Sequence, residues 1–308
     1  MKGERPKNIV ASVHSRLLTH ARDSKDELQL VLMRYGLERL LYRLSQSEYA
    51  GEFVVKGAML FLVWTGEPYR ATKDLDLLAL KSSSPGQLET VFRALSNLPV
   101  PDDGLAFPAE SVTAEPIREN ELYQGVRVTI EARLGKARIP LQVDVGFGDV
   151  VTPKAVKSLF PTLLELPPPK VSIYPKETVI AEKFEIMVKL GIANSRMKDY
   201  HDIWVLSREF AFEGEVLSQA VRATFRRRRT ALLPGFPVAL GGEFSADATK
   251  QRQWQAFVAR GRLKVSERDL AKVIEAIRLF LGPAVDAAAA GVAFKAEWPK
   301  GGPWLAQS

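Results

Sequence analysis

The sequence predicts an α+β protein in which a core with a mixed or antiparallel sheet is followed by a helical C-terminal lobe. Three observations carry this expectation. Short apolar runs at 53–55 and 75–80 bracket a glycine turn and a helix-like stretch. Apolar and polar residues alternate over 126–134 and again over 139–147, on either side of Gly135-Lys136, as in a hairpin. Beyond Glu177 the apolar spacing becomes helical instead.

In chain order, Leu28, Leu32, Tyr35, Leu37 and the cluster Leu40-Leu41-Tyr42 recur at near-helical spacing over 26–45. Phe53-Val54-Val55 reads as a strand, and Lys56-Gly57-Ala58 turns into a helix reaching Trp64. A strand over 75–80 and a helix over 87–98 precede the hairpin. Pro167-Pro168-Pro169 is the clearest linker and places a domain boundary, giving 1–168 as N-terminal helices plus core and 169–308 as a helical, basic domain. Helices are expected over 177–190, 197–208, 215–228 and 267–281. The Gly- and Pro-rich stretch 232–247 reads as a loop, and the last twenty residues as a loose tail.

The composition narrows the chemistry. With 46% apolar and 26% charged residues over 308 positions, the chain is globular in type, so wholesale disorder is excluded. The absence of cysteine excludes disulfides, thiolate zinc sites, iron–sulfur clusters and a cysteine nucleophile. Only three histidines are present (His14, His20, His201), so a metal here is expected to be a hard ion held by carboxylates. The N-terminus does not read as a signal peptide. The strongest apolar run, 53–64, is broken by Lys56 and Gly57 and falls short of the roughly 20 residues a bilayer needs, so a soluble cytoplasmic chain without membrane association is expected. Of the formal charge of +7, residues 206–308 carry +6, densest at Arg226-Arg227-Arg228-Arg229. That quartet is either a solvated helix end or a patch that attracts nucleic-acid phosphates.

The chemistry concentrates at Asp74-Leu75-Asp76. Alternation on a strand points both carboxylates to one side, about 7 Å apart, where they can converge on one divalent ion; the alternative is two surface aspartates on an edge strand. Gly57 follows an apolar strand, and without a Cβ its backbone lets a phosphate approach closely; alone it could equally be a turn glycine. Strand, glycine turn, helix and a strand bearing the two aspartates together resemble the arrangement of polymerase-β-type nucleotidyltransferases. In that chemistry a third carboxylate is expected. Asp144 projects opposite the apolar odd positions of 139–147, to complete metal binding or to receive a proton; Asp149 lies past the strand end and reads as a turn residue.

The helical part holds two anomalies. At 100° per residue, Ile180, Phe184, Met187, Val188 and Leu190 form an arc with Glu182, Glu185 and Lys189 opposite, yet Lys183 falls inside the arc. It either snorkels to the rim or binds phosphate in a cleft. In the next helix Asp199 and Asp202 share a stripe with Ile203 and Leu206. Asp199 can complement the helix N-terminus, whereas Asp202 lies too deep for that. Arg196 and Lys198 flank both and could neutralise them, and His201 reads as a surface or packing residue.

Together these residues resemble the AbiEii/AbiGii toxin-type nucleotidyltransferases. The resemblance runs from about Glu27 to Leu206. It rests on Phe53-Val54-Val55-Lys56-Gly57-Ala58, Arg70-Ala71-Thr72-Lys73-Asp74-Leu75-Asp76, the segment from Asp144 to Asp149, the segment from Glu177 to Lys183, and the segment from Ser195 to Asp202. It implies a toxin of a type IV toxin–antitoxin or abortive-infection (phage-defence) pair that has a polymerase-β-like core. It further implies Mg²⁺, an NTP substrate, transfer of a nucleotide to an RNA 3′ end such as the tRNA acceptor end, and a cognate antitoxin or regulator as partner. By position it matches Asp74 and Asp76 to the metal-binding pair, Gly57 to the phosphate turn, Lys183 to the essential lysine of the helical lobe, and Asp199 and Asp202 to the acids of its last motif. With Asp144 read as the third carboxylate, the expected metal ligands are Asp74, Asp76 and Asp144, and the expected catalytic residues these three with Lys183 and Asp202. Lys56, Gly57, Ala58, Arg70, Thr72, Lys183, Arg196, Lys198 and Asp199 are the residues expected to meet the nucleotide. Ala58 departs from relatives that carry a second glycine or a small hydroxyl residue there, and Thr72 is a nucleotide ligand or a phosphorylation target. Two other readings share these residues: a non-catalytic nucleic-acid- or partner-binding protein that keeps the fold, and an enzyme that places a nucleotide on protein.

Overall fold

The computed structural model describes residues 8–70, 72–117, 125–261, 263–264 and 266–307. Packing groups them into two units. One holds 72–148 and 156–173 with the chain up to Pro68; the other holds 149–155 and the chain from Tyr174 on, with a short stretch at Tyr69.

In the first unit the elements are α1 (Ile9–Ser24), α2 (Leu28–Gln46), β1 (Phe53–Lys56), α3 (Leu60–Thr65), β2 (Asp74–Ala79), α4 (Pro85–Ser96), β3 (Thr113–Pro116), β4 (Gly125–Leu134), β5 (Ala137–Phe147), β6 (Val156–Leu159) and β7 (Lys170–Ile173). The strands form one sheet in the order β3-β4-β5-β2-β1-β7-β6. β2–β5 and β1–β7 are parallel, and the other pairs are antiparallel, so the expected mixed sheet is observed. β1 is an interior strand, between β2 and β7, and is buried along its whole length, as its apolar run Phe53-Val54-Val55 requires. Ile139, Leu141, Val143 and Val145 of β5 face the core, which leaves Asp144 on the other side. α2 lies against this sheet. A Cβ at Gly36 would come within 2.9 Å of the Leu141 side chain, so the glycine permits the close approach.

α2 buries charge as well as leucine. Asp103 accepts from Arg43 Nη1 at 2.7 Å and Arg39 Nε at 3.2 Å, and its carbonyl accepts from the Tyr35 hydroxyl at 2.7 Å. Glu38 accepts the Leu163 N–H at 2.7 Å, and burial pushes its carboxyl up to about 7 from 4.5. Its folded pKa lies above the unfolded one, so the native state binds the extra proton between those values and loses stability as the pH rises through them. Glu38→Gln, which can still accept from Leu163, should therefore remove up to about 3 kcal/mol of that pH dependence; urea unfolding at pH 5 and pH 8 checks it. The triple proline sits between β6 and β7, where the Pro167 carbonyl accepts from Arg39 at 3.0 Å and the Pro169 carbonyl from Phe160 N–H at 2.8 Å.

The second unit comprises α5 (Lys176–Leu190), α6 (Met197–Glu209), β8 (Phe212–Glu213), α7 (Gly214–Arg228), α8 (Gly242–Ala246), α9 (Ala248–Arg260), α10 (Leu270–Ala290), β9 (Ala296–Trp298) and β10 (Leu305–Ala306). The four helices expected here are present. Four expectations need correction. Residues 232–247 are not all loop, because α8 forms there and Ala239, Leu240 and Phe244 are fully buried. The last twenty residues are not a loose tail: β10-β9-β8 form a sheet, and Trp298 and Trp304 pack on Phe280. Glu185 does not face solvent, since it is buried and accepts from Arg228 Nη1 at 2.9 Å and from the Thr230 hydroxyl. Arg228 also reaches Asp149 at 3.0 Å and Glu182 at 3.3 Å, so one member of the arginine quartet serves internal packing and Asp149 is more than a turn residue. No helix among the described residues is long and apolar enough to cross a membrane.

Candidate active site

The parallel pairing of β2 with β5 sets Asp76 opposite Asp144 and Asp74 opposite Gln142. Leu75 and Leu77 enter the core, and alternation puts Asp74 and Asp76 on the other face of the strand. One carboxylate oxygen from each of Asp74, Asp76 and Asp144 lies within 4.8 Å of the others, and all three residues are half-buried. A donor set made only of carboxylate oxygens suits a hard divalent ion, so the residues fit the metal that the sequence implies.

Neighbours orient each acid. Thr72 Oγ1 donates to Asp74 Oδ1 at 2.6 Å. Arg127 grips Asp144 with two parallel bonds of 2.9 Å, and the Gln142 amide adds contacts at 3.3 and 3.4 Å. Such forked pairing fixes direction as well as charge. β1 ends at Lys56, which stands opposite Asp76, is largely buried and leads into the turn at Gly57, with Ala58 buried behind it.

Gly57 is required twice over. Its φ is +77°, a conformation that costs other residues about 1–2 kcal/mol. A Cβ there would also fall 1.8 Å from Asp76 Oδ2 and 2.8 Å from Asp76 Cβ, so turning the carboxylate away would not clear it. Gly57→Ala should therefore weaken divalent-ion binding at least about tenfold and cost roughly 1–2 kcal/mol of stability, measured by calorimetric Mn²⁺ titration and thermal unfolding.

The helical unit gathers the remaining charged residues into its own network. Lys183 Nζ donates to Asp199 Oδ1 at 2.7 Å and pairs with Asp202 Oδ2 at 2.9 Å. Arg70 grips Asp202 at 3.0 and 3.2 Å, and Arg196 Nε reaches Asp199 Oδ2 at 2.7 Å. Both acids are only 1% exposed. Burial works to raise the Asp199 carboxyl, but Lys183 and Arg196 outweigh it and hold it below the usual carboxylate value. Burial of Asp202 is likewise outweighed, here by Arg70 and Lys183, and its carboxyl lies well below that value. Desolvation opposes the Lys183 charge, yet the two acids win and raise its pKa.

Lys183 thus neither snorkels freely nor stands alone. Arg196 neutralises Asp199 as expected, whereas Lys198 is exposed and pairs with neither acid. His201 is fully buried against Trp204 and Phe257, a packing residue. Arg70, Arg196 and Lys198 line a cavity of about 630 Å³ inside this unit, with Gln253, Phe257 and Arg260 of α9.

Sequence reasoning missed Arg127 and the α9 residues. For Arg127 a signal existed, because a hairpin closed at Gly135-Lys136 pairs 134 with 137 and therefore 127 with 144. For α9 there was little, since only Lys250 and Trp254 of its thirteen residues are buried.

Residues 39–290 match the family described as Nucleotidyl transferase AbiEii toxin, Type IV TA system. Among curated proteins none matches the sequence. Solved structures also show likeness, among them two from Helicobacter pylori. One, a protein of H. pylori assigned provisionally to the nucleotidyltransferases, has a TM-score of 0.47 at 14% identity over 86% of this chain and 97% of that one. The other, JHP933 from Helicobacter pylori, has a TM-score of 0.46 at 12% identity over 86% of this chain and 94% of that one.

Proposed function

The chain belongs to the AbiEii nucleotidyl transferase toxin family of type IV toxin–antitoxin systems, and from that premise we propose that it moves a nucleoside monophosphate from an NTP to an RNA 3′ end, the tRNA acceptor end in particular. The observation that carries this reading is the convergence of Asp74, Asp76 and Asp144 beside the Gly57 turn. In the proposed reaction the terminal hydroxyl gives up its proton to solvent and its oxygen bonds to the α-phosphorus as the bond to pyrophosphate breaks. The three aspartates would hold Mg²⁺, which when bound supplies Lewis acidity toward the phosphate and lowers the pKa of the attacking hydroxyl.

The other roles follow from what each side chain touches. Thr72 keeps Asp74 turned toward the trio, and Arg127 with Gln142 does the same for Asp144. Lys56, Gly57 and Ala58 form the turn proposed for the triphosphate, where the missing Cβ leaves room over Asp76. Lys183 and Arg70 are the proposed counter-charges for phosphate, held in place by Asp199 and Asp202. The excess positive charge of residues 206–308 supports an RNA acceptor. A cognate antitoxin is the expected protein partner.

The test is incubation of the purified chain with total RNA and each of the four labelled NTPs, with Mg²⁺ or EDTA, followed by sizing of the labelled product. Metal-dependent label on RNA of tRNA size is expected. Label on protein would redirect the assignment to a protein-modifying transferase, and none in any reaction would favour the non-catalytic binder.

A further inference from the structure

The cavity inside the helical unit has walls of unusual charge. Its lining comes from Arg70, the first turn of α6 and the end of α9, and it includes four cations and, among the described residues, no carboxylate. Two of the cations are already matched, Arg196 by Asp199 and Arg70 by Asp202. Lys198 and Arg260 are exposed and carry no ion pair among the described residues, so their charge faces the cavity unneutralised. Gln253, on the same wall, has its Oε1 buried without a hydrogen-bond partner among those residues. Phe257 is partly covered, with ring centroids of Trp254 and His201 each 5.6 Å away.

We propose that this cavity seats one nucleotide of single-stranded RNA, its phosphate on Lys198 and Arg260, its base against Phe257 and a base edge on the Gln253 amide. The binding needs no divalent ion. A volume of about 630 Å³ lies within the roughly 300–1,000 Å³ of small-ligand pockets, enough for one nucleotide. Unpaired cations beside a partly open aromatic ring are how single strands are held, by phosphate attraction and base stacking together. An NTP fits less well, because its triphosphate travels with a divalent ion and this wall offers that ion no carboxylate. The choice of RNA rests on the acceptor proposed above, whereas the cavity itself is independent of the carboxylate trio.

The test is fluorescence anisotropy of a short fluorescein-labelled single-stranded RNA, titrated with the full chain in EDTA over a range of KCl concentrations. Wild type should bind. Lys198→Ala/Arg260→Ala should lower the log Kd–log salt slope by about 0.7, the share of one phosphate on a single strand, and weaken binding about tenfold at moderate salt. Both residues are exposed, so folding should survive, which circular dichroism checks. Phe257→Leu should weaken binding about tenfold with an unchanged slope. Asp74→Asn/Asp76→Asn should bind this RNA like wild type even though it is expected to lose transfer, so failure of the metal site and failure of this subsite can be told apart. The proposal is overturned if EDTA abolishes RNA binding, if the double alanine variant keeps the wild-type slope, or if unlabelled NTP binds through Lys198 and Arg260 while the RNA does not.

Discussion

Asp76→Asn is expected to reduce nucleotidyl transfer by about a thousandfold or more while thermal unfolding stays at or slightly above the wild-type temperature. The amide keeps the shape of the side chain, so β2 still pairs with β1 and β5. What disappears is one of three negative charges whose oxygens lie within 4.8 Å. In the metal-free protein those charges repel, so their reduction does not harm the fold. In the loaded enzyme the loss falls on the group that stabilises charge developing on the phosphate, and a thousandfold is about 4 kcal/mol of barrier. The measurement is label incorporated into RNA per minute, with a melting curve and Mn²⁺ calorimetry alongside. A variant that transfers at the wild-type rate would remove the carboxylate trio from the mechanism.

Asp202→Asn has its largest effect on the fold. Asp202 is 1% exposed and shared between Arg70 and Lys183, so the amide leaves two cations sharing the charge of Asp199, which Arg196 already holds. Removing one partner of such a buried pair costs about 3–5 kcal/mol. The pH dependence has a definite sign. The native carboxyl lies well below the ordinary 3.8, so the native state binds fewer protons than the unfolded chain in the acid range. The stabilisation is complete above the unfolded value and declines as the pH falls from there toward the native one. Urea unfolding of wild type and variant at pH 7 and pH 3 should show a wide gap that narrows in acid. A gap that is constant with pH would mean that the carboxylate charge contributes nothing.

The carboxylate trio was legible because strand alternation is a local property. Leu75 and Leu77 mark the buried face of β2, and the odd positions of 139–147 mark that of β5, which leaves the acids on the other faces. That Asp76 stands beside Asp144 was not legible from spacing, since β2 and β5 are parallel and joined through a long excursion. The helical lobe hid more. Glu185 looks like a solvent-facing acid until Arg228, far along the chain, is seen to meet it. The tail looked loose because β9 and β10 have only three and two residues and Gly301-Gly302-Pro303 carries no periodicity, whereas its order comes from Trp298 and Trp304 on Phe280. Charge inside a stripe was the one reliable clue there: Lys183, Asp199 and Asp202 stood out as misplaced and proved to be one network.

The position of β1 bears on how the protein can be made. Its second hydrogen-bonded neighbour, β7, arrives only at Lys170–Ile173, more than a hundred residues after Phe53–Lys56 has been synthesised. Until then a buried strand with three consecutive apolar residues offers an open edge to any other extended segment. A fragment ending at Gly148 would hold every acid of the trio yet expose Val54 and Val55, and is expected to precipitate, whereas one ending after Ile173 closes that edge. The smallest soluble catalytic core therefore ends beyond the triple proline, and during translation this edge is the natural point for a chaperone to guard.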